Sequence, residues 1–113
     1  MRTAGKVWGQ TTEVESNSSF GLHRITATAG HKCSKHLHQT KFNGFYVLSG
    51  KLQVTVWKKD SGTVDVTVLN SGDWMVVAPG EYHQFEALET TIALELYWVD
   101  LNHADIIRDT FGE

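Results

Sequence analysis

The chain has 113 residues, a length that suits one domain with one hydrophobic core. Hydrophobic residues make up 41% of it, which is enough apolar mass to fill a compact interior. The formal net charge is −3 and both signs are scattered, so no basic stripe is present and a nucleic-acid partner is not expected. No apolar run approaches the roughly 18 residues of a membrane span, and the N-terminus lacks the apolar core of a signal peptide. We therefore expect no membrane partner and a cytoplasmic location, with which the single Cys33 agrees.

From about residue 20 onward, short runs of β-branched and aromatic residues alternate with polar ones and are separated by Gly, Ser, Asn and Asp. Turn chemistry such as Ser49-Gly50 and Pro79-Gly80 marks the breaks. This pattern predicts an all-β chain of antiparallel strands in a sandwich or barrel, with only 103–110 suited to a helical turn. No repeat or linker interrupts it, so 1–113 is predicted to be one domain. The predicted strands are 22–27, 44–48, 51–58, 64–69, 74–77, 83–87 and 91–99.

Three of the six histidines lie where the strand pattern can bring them together. His36 and His38 are two residues apart, so on a strand both side chains point to the same face. His83 begins another predicted strand just after Pro79-Gly80. Neutral imidazole is the commonest protein ligand for Zn, Fe, Mn, Ni and Cu. The His-x-His pair alone equally suits two surface histidines on a loop or edge strand.

The residues around these histidines resemble the two consensus motifs of the cupin family. The resemblance implies a single cupin domain, a double-stranded β-helix or jelly-roll barrel. It also implies one divalent metal ion, Zn, Mn, Fe or Ni, held by His36, His38 and His83. The first motif is matched at Gly30, His36, His38 and Gly50, and the second, with one spacing adjusted, at Gly72, Pro79, Gly80 and His83.

Asn43 departs from the first motif, because the family has a Glu at this position. An amide there removes one negative charge, and three neutral imidazoles leave the metal charge uncompensated, which favours an anionic substrate or hydroxide as a further ligand. Asn43 remains a candidate fourth ligand through its carbonyl oxygen, or a partner of metal-bound water. The alternatives are a plain turn residue before Gly44 and replacement of the missing ligand by a nearby carboxylate. Those carboxylates are Glu81, Glu86 and Glu95.

Nearly the whole chain resembles the cupin domain of type II mannose-6-phosphate isomerases. The resemblance implies a sugar or sugar phosphate as the small-molecule ligand, and likeness to small cupins together with apolar, Trp-containing ends implies a homodimer. That family has Gln at the place of His36 and Glu at the place of Asn43, and these differences bear on the isomerase activity. The resemblance is carried by Trp8-Gly9, 23–26, 29–30, 47–50, 72–73, 79–80, 105–108 and 111–112.

Three functions are left open. One is a metal-dependent isomerase acting on a sugar or sugar phosphate, which rests on the resemblance. Another is a non-haem Fe(II) dioxygenase, which rests on the three-imidazole ligand set. The third is a non-catalytic barrel that binds a small sugar or acid. No catalytic residue is assigned from the sequence.

The remaining chemistry-bearing residues receive structural interpretations. Cys33 is read as a small residue in the loop before His36, with a reactive thiol near the metal as the alternative. The four Trp are read as core or interface. His23, His31 and His103 are read as surface or edge residues, and Lys35, Lys41 and Arg108 as solvated cations rather than anion ligands at the barrel mouth.

Overall fold

The computed structural model describes residues 2–100, 105 and 107–109. Within this part of the chain every regular element is a strand, so the all-β prediction is confirmed, and no helix there is long and apolar enough to cross a membrane. Of the predicted helical turn at 103–110, residues 105 and 107–109 are described and are not helical, and the other four lie outside the described residues. The strands are β1 (Arg2–Lys6), β2 (Gly9–Ser16), β3 (Phe20–Ala27), β4 (Phe42–Ser49), β5 (Lys51–Trp57), β6 (Val64–Asn70), β7 (Trp74–Val77), β8 (Tyr82–Ala87) and β9 (Thr91–Trp98).

The strands form two antiparallel sheets that enclose one core. The larger has the order β1-β2-β3-β9-β4-β7, and the smaller has the order β6-β5-β8. An irregular segment, residues 30–38, continues the smaller sheet beyond β8, which it meets in two bridges, Lys32–Glu86 and His36–His83. This segment carries the His-x-His pair, so the sheet order sets two of the histidines beside the third.

Strand alternation places the core between the sheets. On β5 every second residue is buried, and its three inward side chains lie in register with three inward residues of β8. Leu52 faces Ala87, Val54 faces Phe85, and Val56 faces His83. The apolar core therefore runs directly into the histidine cluster. Its buried members are Ile25, Ala27, Cys33, Phe45, Val47, Leu52, Val54, Val56, Leu69, Val77, Phe85, Ala87 and Ala93.

The tight turn between β4 and β5 depends on Gly50. Its φ of 97° lies in the left-handed region, which residues with a Cβ rarely adopt. A Cβ at this position would also approach the backbone oxygen of Thr90 and the side chain of Thr91. The Ser-Gly break read from the sequence is thus a turn that favours glycine, and there the chain passes from the larger sheet to the smaller one.

The sequence pattern missed β1 and β2. All five residues of β1 are exposed, and on β2 the burial is partial at most. These strands extend the larger sheet past the edge of the smaller one, so neither needs the apolar alternation by which strands are recognised. The other predicted strands are found with ends shifted by two residues at most.

Candidate metal centre

His36 and His83 are brought together by the backbone. They form an antiparallel bridge in which each amide donates to the other residue's carbonyl, at 3.0 and 2.8 Å. Directly opposed residues point to the same face of a sheet, so both rings enter the barrel. The carbonyl of His38 accepts a hydrogen bond from the Gly80 amide at 2.8 Å, which fixes the end of the same segment.

The three rings form a compact cluster. Their centroids lie 4.6 Å apart for His36–His83, 5.2 Å for His36–His38 and 5.5 Å for His38–His83. Each offers one nitrogen, and these nitrogens lie within 4.8 Å of one another. Two nitrogens bound to one ion at about 2.1 Å lie roughly 3.0–3.5 Å apart, so modest rotation of the rings lets one ion meet all three.

Backbone carbonyls set the tautomers of two rings. His36 Nδ1 lies 2.8 Å from the Ser34 carbonyl oxygen, and His83 Nδ1 lies 3.1 Å from the Glu81 carbonyl oxygen. A carbonyl can only accept, so these two contacts favour the tautomer with the proton on Nδ1, which in a neutral ring leaves Nε2 with a free lone pair. This is the outer hydrogen bonding that typically orients metal-binding histidines.

His38 Nε2 is buried and has no hydrogen-bond partner in the part of the chain that the structure describes. Burial, reinforced by the other two histidines and Lys41, lowers the pKa of His38 to about 4. The ring is therefore neutral at neutral pH. A buried acceptor without a partner costs about 1–3 kcal/mol, and coordination of a cation would remove that cost.

Asn43 lies beside these rings, fully buried on the opposite sheet. Its Nδ2 donates to the Leu96 carbonyl at 3.1 Å and lies 3.5 Å from Glu95 Oε2, so the amide oxygen must face the histidines. That oxygen lies 3.0 Å from His83 Nε2. The side chain thus stands beside the histidine cluster with its acceptor atom aimed at it.

His83 makes two contacts that a neutral ring cannot both satisfy. Its one N–H donates either to the Glu81 carbonyl through Nδ1 or to the Asn43 amide oxygen through Nε2, and burial, its largest influence, lowers the pKa of His83. With the proton on Nδ1, the lone pairs of Nε2 and of the amide oxygen face each other at 3.0 Å, an arrangement that a cation between them would stabilise. Two atoms bound at right angles to one ion, each at about 2.1 Å, are about 3.0 Å apart. The donor set therefore fits a divalent metal with Asn43 as a fourth ligand.

The three carboxylates that were candidates to replace the missing ligand lie in different places. Glu95 is buried on the inward face of β9, beside Asn43, and burial raises its pKa. Glu81, whose side chain is 14% exposed, pairs with Lys58 at 3.6 Å and accepts from the Lys59 amide. Glu86 follows the inward Phe85 on β8, so it points outward. Only Glu95 faces the interior near the histidines, and it is not among the three residues whose ligand atoms converge.

A cavity of about 300 Å³ opens next to the cluster. His36 and Glu95 form part of its wall, and Tyr97, whose pKa is raised by burial, forms another part. His23 also lines it and packs against Tyr97 with ring centroids 5.7 Å apart, so its interpretation as a plain surface residue was wrong. The sequence offered one signal for His23: it lies two residues before the buried Ile25, on the same face of β3.

Cys33 is buried as expected, and burial raises its pKa to about 11, so it is a neutral thiol at neutral pH. Lys35 does not face the cavity but lies over the Trp57 ring at 4.0 Å. Trp8 packs edge-on against the core residue Phe85, as predicted for a core tryptophan. Arg108 is exposed, and His103 lies outside the described residues.

Comparisons with known proteins agree with this architecture. Solved structures with the same fold include KdgF from Halomonas sp., with a TM-score of 0.71 and 18% identity over 85% of this chain and 84% of that one. Oxalate decarboxylase of Bacillus subtilis, studied for its Mn(II) centres, has a TM-score of 0.76 and 19% identity, over 88% of this chain and 27% of that one.

A cupin-2 domain protein from Shewanella frigidimarina has a TM-score of 0.62 and 17% identity, with 76% of each chain covered. No curated protein sequence matches the chain. At these identities the structures establish the fold alone. The cupin domain model, however, matches residues 23–100, which is more than half of the sequence and includes all three clustered histidines. The chain belongs to the cupin domain family.

Proposed function

We propose that this cupin binds one divalent metal through His36, His38 and His83, with Asn43 as fourth ligand, and acts on a small sugar or sugar phosphate. The observation that carries the proposal is the buried His38 Nε2, which has no partner among the described residues and belongs to a ring whose ligand nitrogen lies within 4.8 Å of those of His36 and His83. The adjoining cavity of about 300 Å³ lies at the lower end of ordinary ligand-pocket sizes.

The charge of the site favours an anionic or strongly polar ligand. All four proposed donors are neutral, so the full metal charge would be available to a phosphate, carboxylate or enediol-like oxygen. Lys6 stands on the cavity wall and adds a positive charge there. Glu95 does not offset it fully, because burial raises its pKa and favours the protonated form.

Sugar isomerisation requires a group that moves a proton between neighbouring carbons. A bound metal would supply polarisation of a carbonyl and a hydroxyl oxygen. From this chain, Glu95 offers a carboxyl group that can hold a proton in the cavity wall. His23 and Tyr97 supply hydrogen-bonding groups on the same wall. The likeness to mannose-6-phosphate isomerases at the sequence level supports the sugar phosphate as substrate class.

The test combines metal analysis with a direct assay. Protein purified without added metal is analysed by mass spectrometry, then loaded with Mn²⁺ or Zn²⁺ and incubated with fructose 6-phosphate, with NMR detection of mannose 6-phosphate. We expect one equivalent of metal and slow isomerisation that the His38→Ala variant lacks. Bound metal without turnover of any hexose phosphate would contradict the substrate class, and absence of metal binding would contradict the whole proposal.

One observation supports a second function, a non-haem Fe(II) dioxygenase. Three neutral imidazoles and an amide form a donor set that suits iron and leaves positions open for further ligands. Copurified iron, together with oxygen consumption in the presence of a small organic acid or diol, would favour it over isomerisation. If the protein bound neither iron nor Mn²⁺ or Zn²⁺, the third function, a non-catalytic barrel that binds a small molecule, would be favoured.

A further inference from the structure

A second, smaller hollow lies on the inner side of the larger sheet, at the end that carries Asn43. It is lined by the turn at 16–21 together with His23, Lys41 and Tyr97. Its volume is about 90 Å³, less than a third of that of the cavity beside the histidines. Pockets that enclose a whole small molecule ordinarily begin near about 300 Å³, so this hollow suits a single small group.

The hollow exists because one position on the inner face has no side chain. Four residues lie side by side in register there, on β2, β3, β9 and β4: Ser16, Gly21, Tyr97 and Asn43. A Cβ built on Gly21 would lie 3.5 Å from His23 Nε2 and 3.7 Å from the Tyr97 ring. The φ of Gly21 is not positive, so the backbone does not require glycine at this position. The missing side chain therefore leaves space beside two hydrogen-bonding rings.

A β-bulge turns a serine, and not a glutamate, toward the hollow. Glu13 pairs with His23, and regular pairing would next set Glu15 opposite Gly21. The register shifts between Glu13 and Glu15, so Ser16 takes the place opposite Gly21. Because a shift of one residue exchanges the two faces of a strand, Glu15 joins the outward row. The bulge thus removes a carboxylate from beside the hollow and supplies a hydroxyl group instead.

The hollow has a positive charge and no carboxylate in its lining. Lys41 is its cation, and it forms no ion pair with any residue that the structure describes. Arg2, on the wall of two neighbouring surface pockets, is paired with Glu13 at 3.4 Å. Lys6 has Glu95 on the wall of the same cavity. Of these sites, the hollow is the one whose positive charge has no acidic counterpart.

Hydrogen-bond donors surround the same space. The side chains of Ser16, Ser18 and Ser19 line it and offer three hydroxyl groups. His23 adds its Nε2. The turn that carries the serines is held by Asn17, whose Oδ1 accepts from two backbone amides of the turn, at 2.8 and 3.0 Å. A turn that is already ordered loses little conformational freedom when a ligand binds to it.

We propose that the hollow binds one tetrahedral oxyanion, either free phosphate or the phosphoryl group of a phosphorylated ligand, through Lys41, His23 and the serine hydroxyls. Phosphate oxygens accept from all of these donors, and the contact with the ammonium group is charge-assisted. Binding of free phosphate requires no metal. The phosphoryl group of a sugar phosphate rests on the proposed function: Gly21 and Asn43 are two strand spacings apart, about 10 Å, so one ligand reaches both the metal and the hollow.

The test begins with the metal-free full chain, so that it does not depend on the metal site. Calorimetric titration with inorganic phosphate at constant ionic strength should show one saturable site. Gly21→Val fills the hollow without changing the charge, and Lys41→Met removes its cation. Each should weaken phosphate binding by at least about 10-fold, because the space for the anion or a hydrogen bond to a charged group is lost.

Two matched variants are the controls. Gly5→Val matches Gly21→Val, because Gly5 is also a strand glycine without a positive φ, and a Cβ there meets nothing within 4 Å. Lys6→Met matches Lys41→Met, because Lys6 lines the larger cavity instead. Both should bind phosphate as the wild type does, with unchanged circular dichroism. If Gly21→Val fails to fold, Gly21→Ala replaces it, since its Cβ makes only ordinary contacts.

A second experiment distinguishes the two sources of the anion. Fructose 6-phosphate and fructose are titrated into the metal-loaded chain, and a phosphoryl group in the hollow should make Gly21→Val and Lys41→Met weaken the first ligand and not the second. Lack of metal binding would contradict the proposed function alone, because the phosphate titration needs no metal.

The proposal is overturned if the wild type binds neither phosphate nor fructose 6-phosphate. It is also overturned if Gly21→Val and Lys41→Met bind both ligands as the wild type does. A loss of phosphate binding in Lys6→Met equal to that in Lys41→Met would place the anion in the larger cavity and would overturn it as well.

Discussion

Along β4, β8 and β9 the inward side chains are mainly apolar at one end of the barrel, where the buried Thr91 is the exception, and mainly polar at the other. At the apolar end the side chains pack against one another, and the apolar ones need no hydrogen-bond partner. The polar end leaves buried acceptors facing one another without donors, which costs stability and is retained where function requires it. The apolar end contains Val47, Ala87 and Ala93, and the polar end contains Asn43, His83 and Glu95.

The same three strands therefore supply both the packed core, which stabilises the fold, and the candidate metal ligands, whose unpartnered polar atoms cost stability. Stability should depend mainly on the apolar half, and removing one of the three histidines should cost the apoprotein much less than removing a core side chain. Metal affinity should depend on the polar half and be almost indifferent to the core. Each substitution below tests one side of that separation.

The largest effect is expected in the apolar half. Leu52 is fully buried, so Leu52→Ala removes apolar contacts and leaves a cavity, and should lower the free energy of unfolding by about 2–5 kcal/mol. Urea denaturation measures it. Leu88→Ala, at a leucine 42% exposed, is the matched control and should change stability by less than about 0.5 kcal/mol. Similar losses in both variants would contradict the assignment of the core.

In the polar half, His38→Ala should abolish a ligand and weaken metal binding by more than the roughly 10–100-fold typical of outer-sphere changes. Calorimetric titration with Zn²⁺ or Mn²⁺ measures the affinity. His31→Ala, an exposed histidine outside the cluster, should bind as the wild type does. If the two variants bound equally well, the metal would have to lie elsewhere.

Asn43→Glu sharpens the comparison, because it should move stability and affinity in opposite directions. The carboxylate supplies the charge that the site lacks and should tighten metal binding by roughly 1.5–3 kcal/mol. Without metal, it would place a buried negative charge beside the Leu96 carbonyl and Glu95, so the apoprotein should unfold at a lower urea concentration.

Asn43→Ala is the companion variant. It should weaken metal binding if the amide oxygen is a ligand and leave the affinity unchanged if it is not. Equal affinities for the Asn, Glu and Ala forms would place Asn43 outside the coordination sphere.

The smallest effect concerns Cys33, which lies where the two halves meet. Because burial raises its pKa to about 11, the thiolate fraction is about 100-fold lower than for a thiol with the ordinary value of 9.0. Alkylation by iodoacetamide should be correspondingly slow in the folded protein and should speed up as pH rises toward 11. Mass spectrometry of native and urea-unfolded samples measures both rates, and equal rates would show that the thiol is exposed.

Much of the barrel could be predicted from sequence because its strands follow simple alternation. The histidines were identified because the spacing of the two motifs selects His36, His38 and His83, although the first two lie on an irregular segment and not on the strand that was expected. Strand β1 could not be predicted, because an exposed extension of a sheet carries no periodic apolar signal. That the Glu95 side chain points into the barrel could not be predicted from the sequence either. Alternation alone would have turned Leu94 and Leu96 into the core, and only pairing with β3 and β4 reverses it.

Asn43 and Gly44 are neighbours on β4 that face opposite ways. One side chain reaches the histidines, and the missing side chain of the other leaves room for the Trp74 ring. A single peptide unit is therefore the whole thickness of the wall between the candidate metal site and the outer surface. A shift of this strand by a few tenths of an ångström cannot be confined to one side. A contact that displaces Trp74 therefore also displaces the Asn43 amide that faces His83. Strand β4 thus couples the outer surface of the sheet to the candidate metal site.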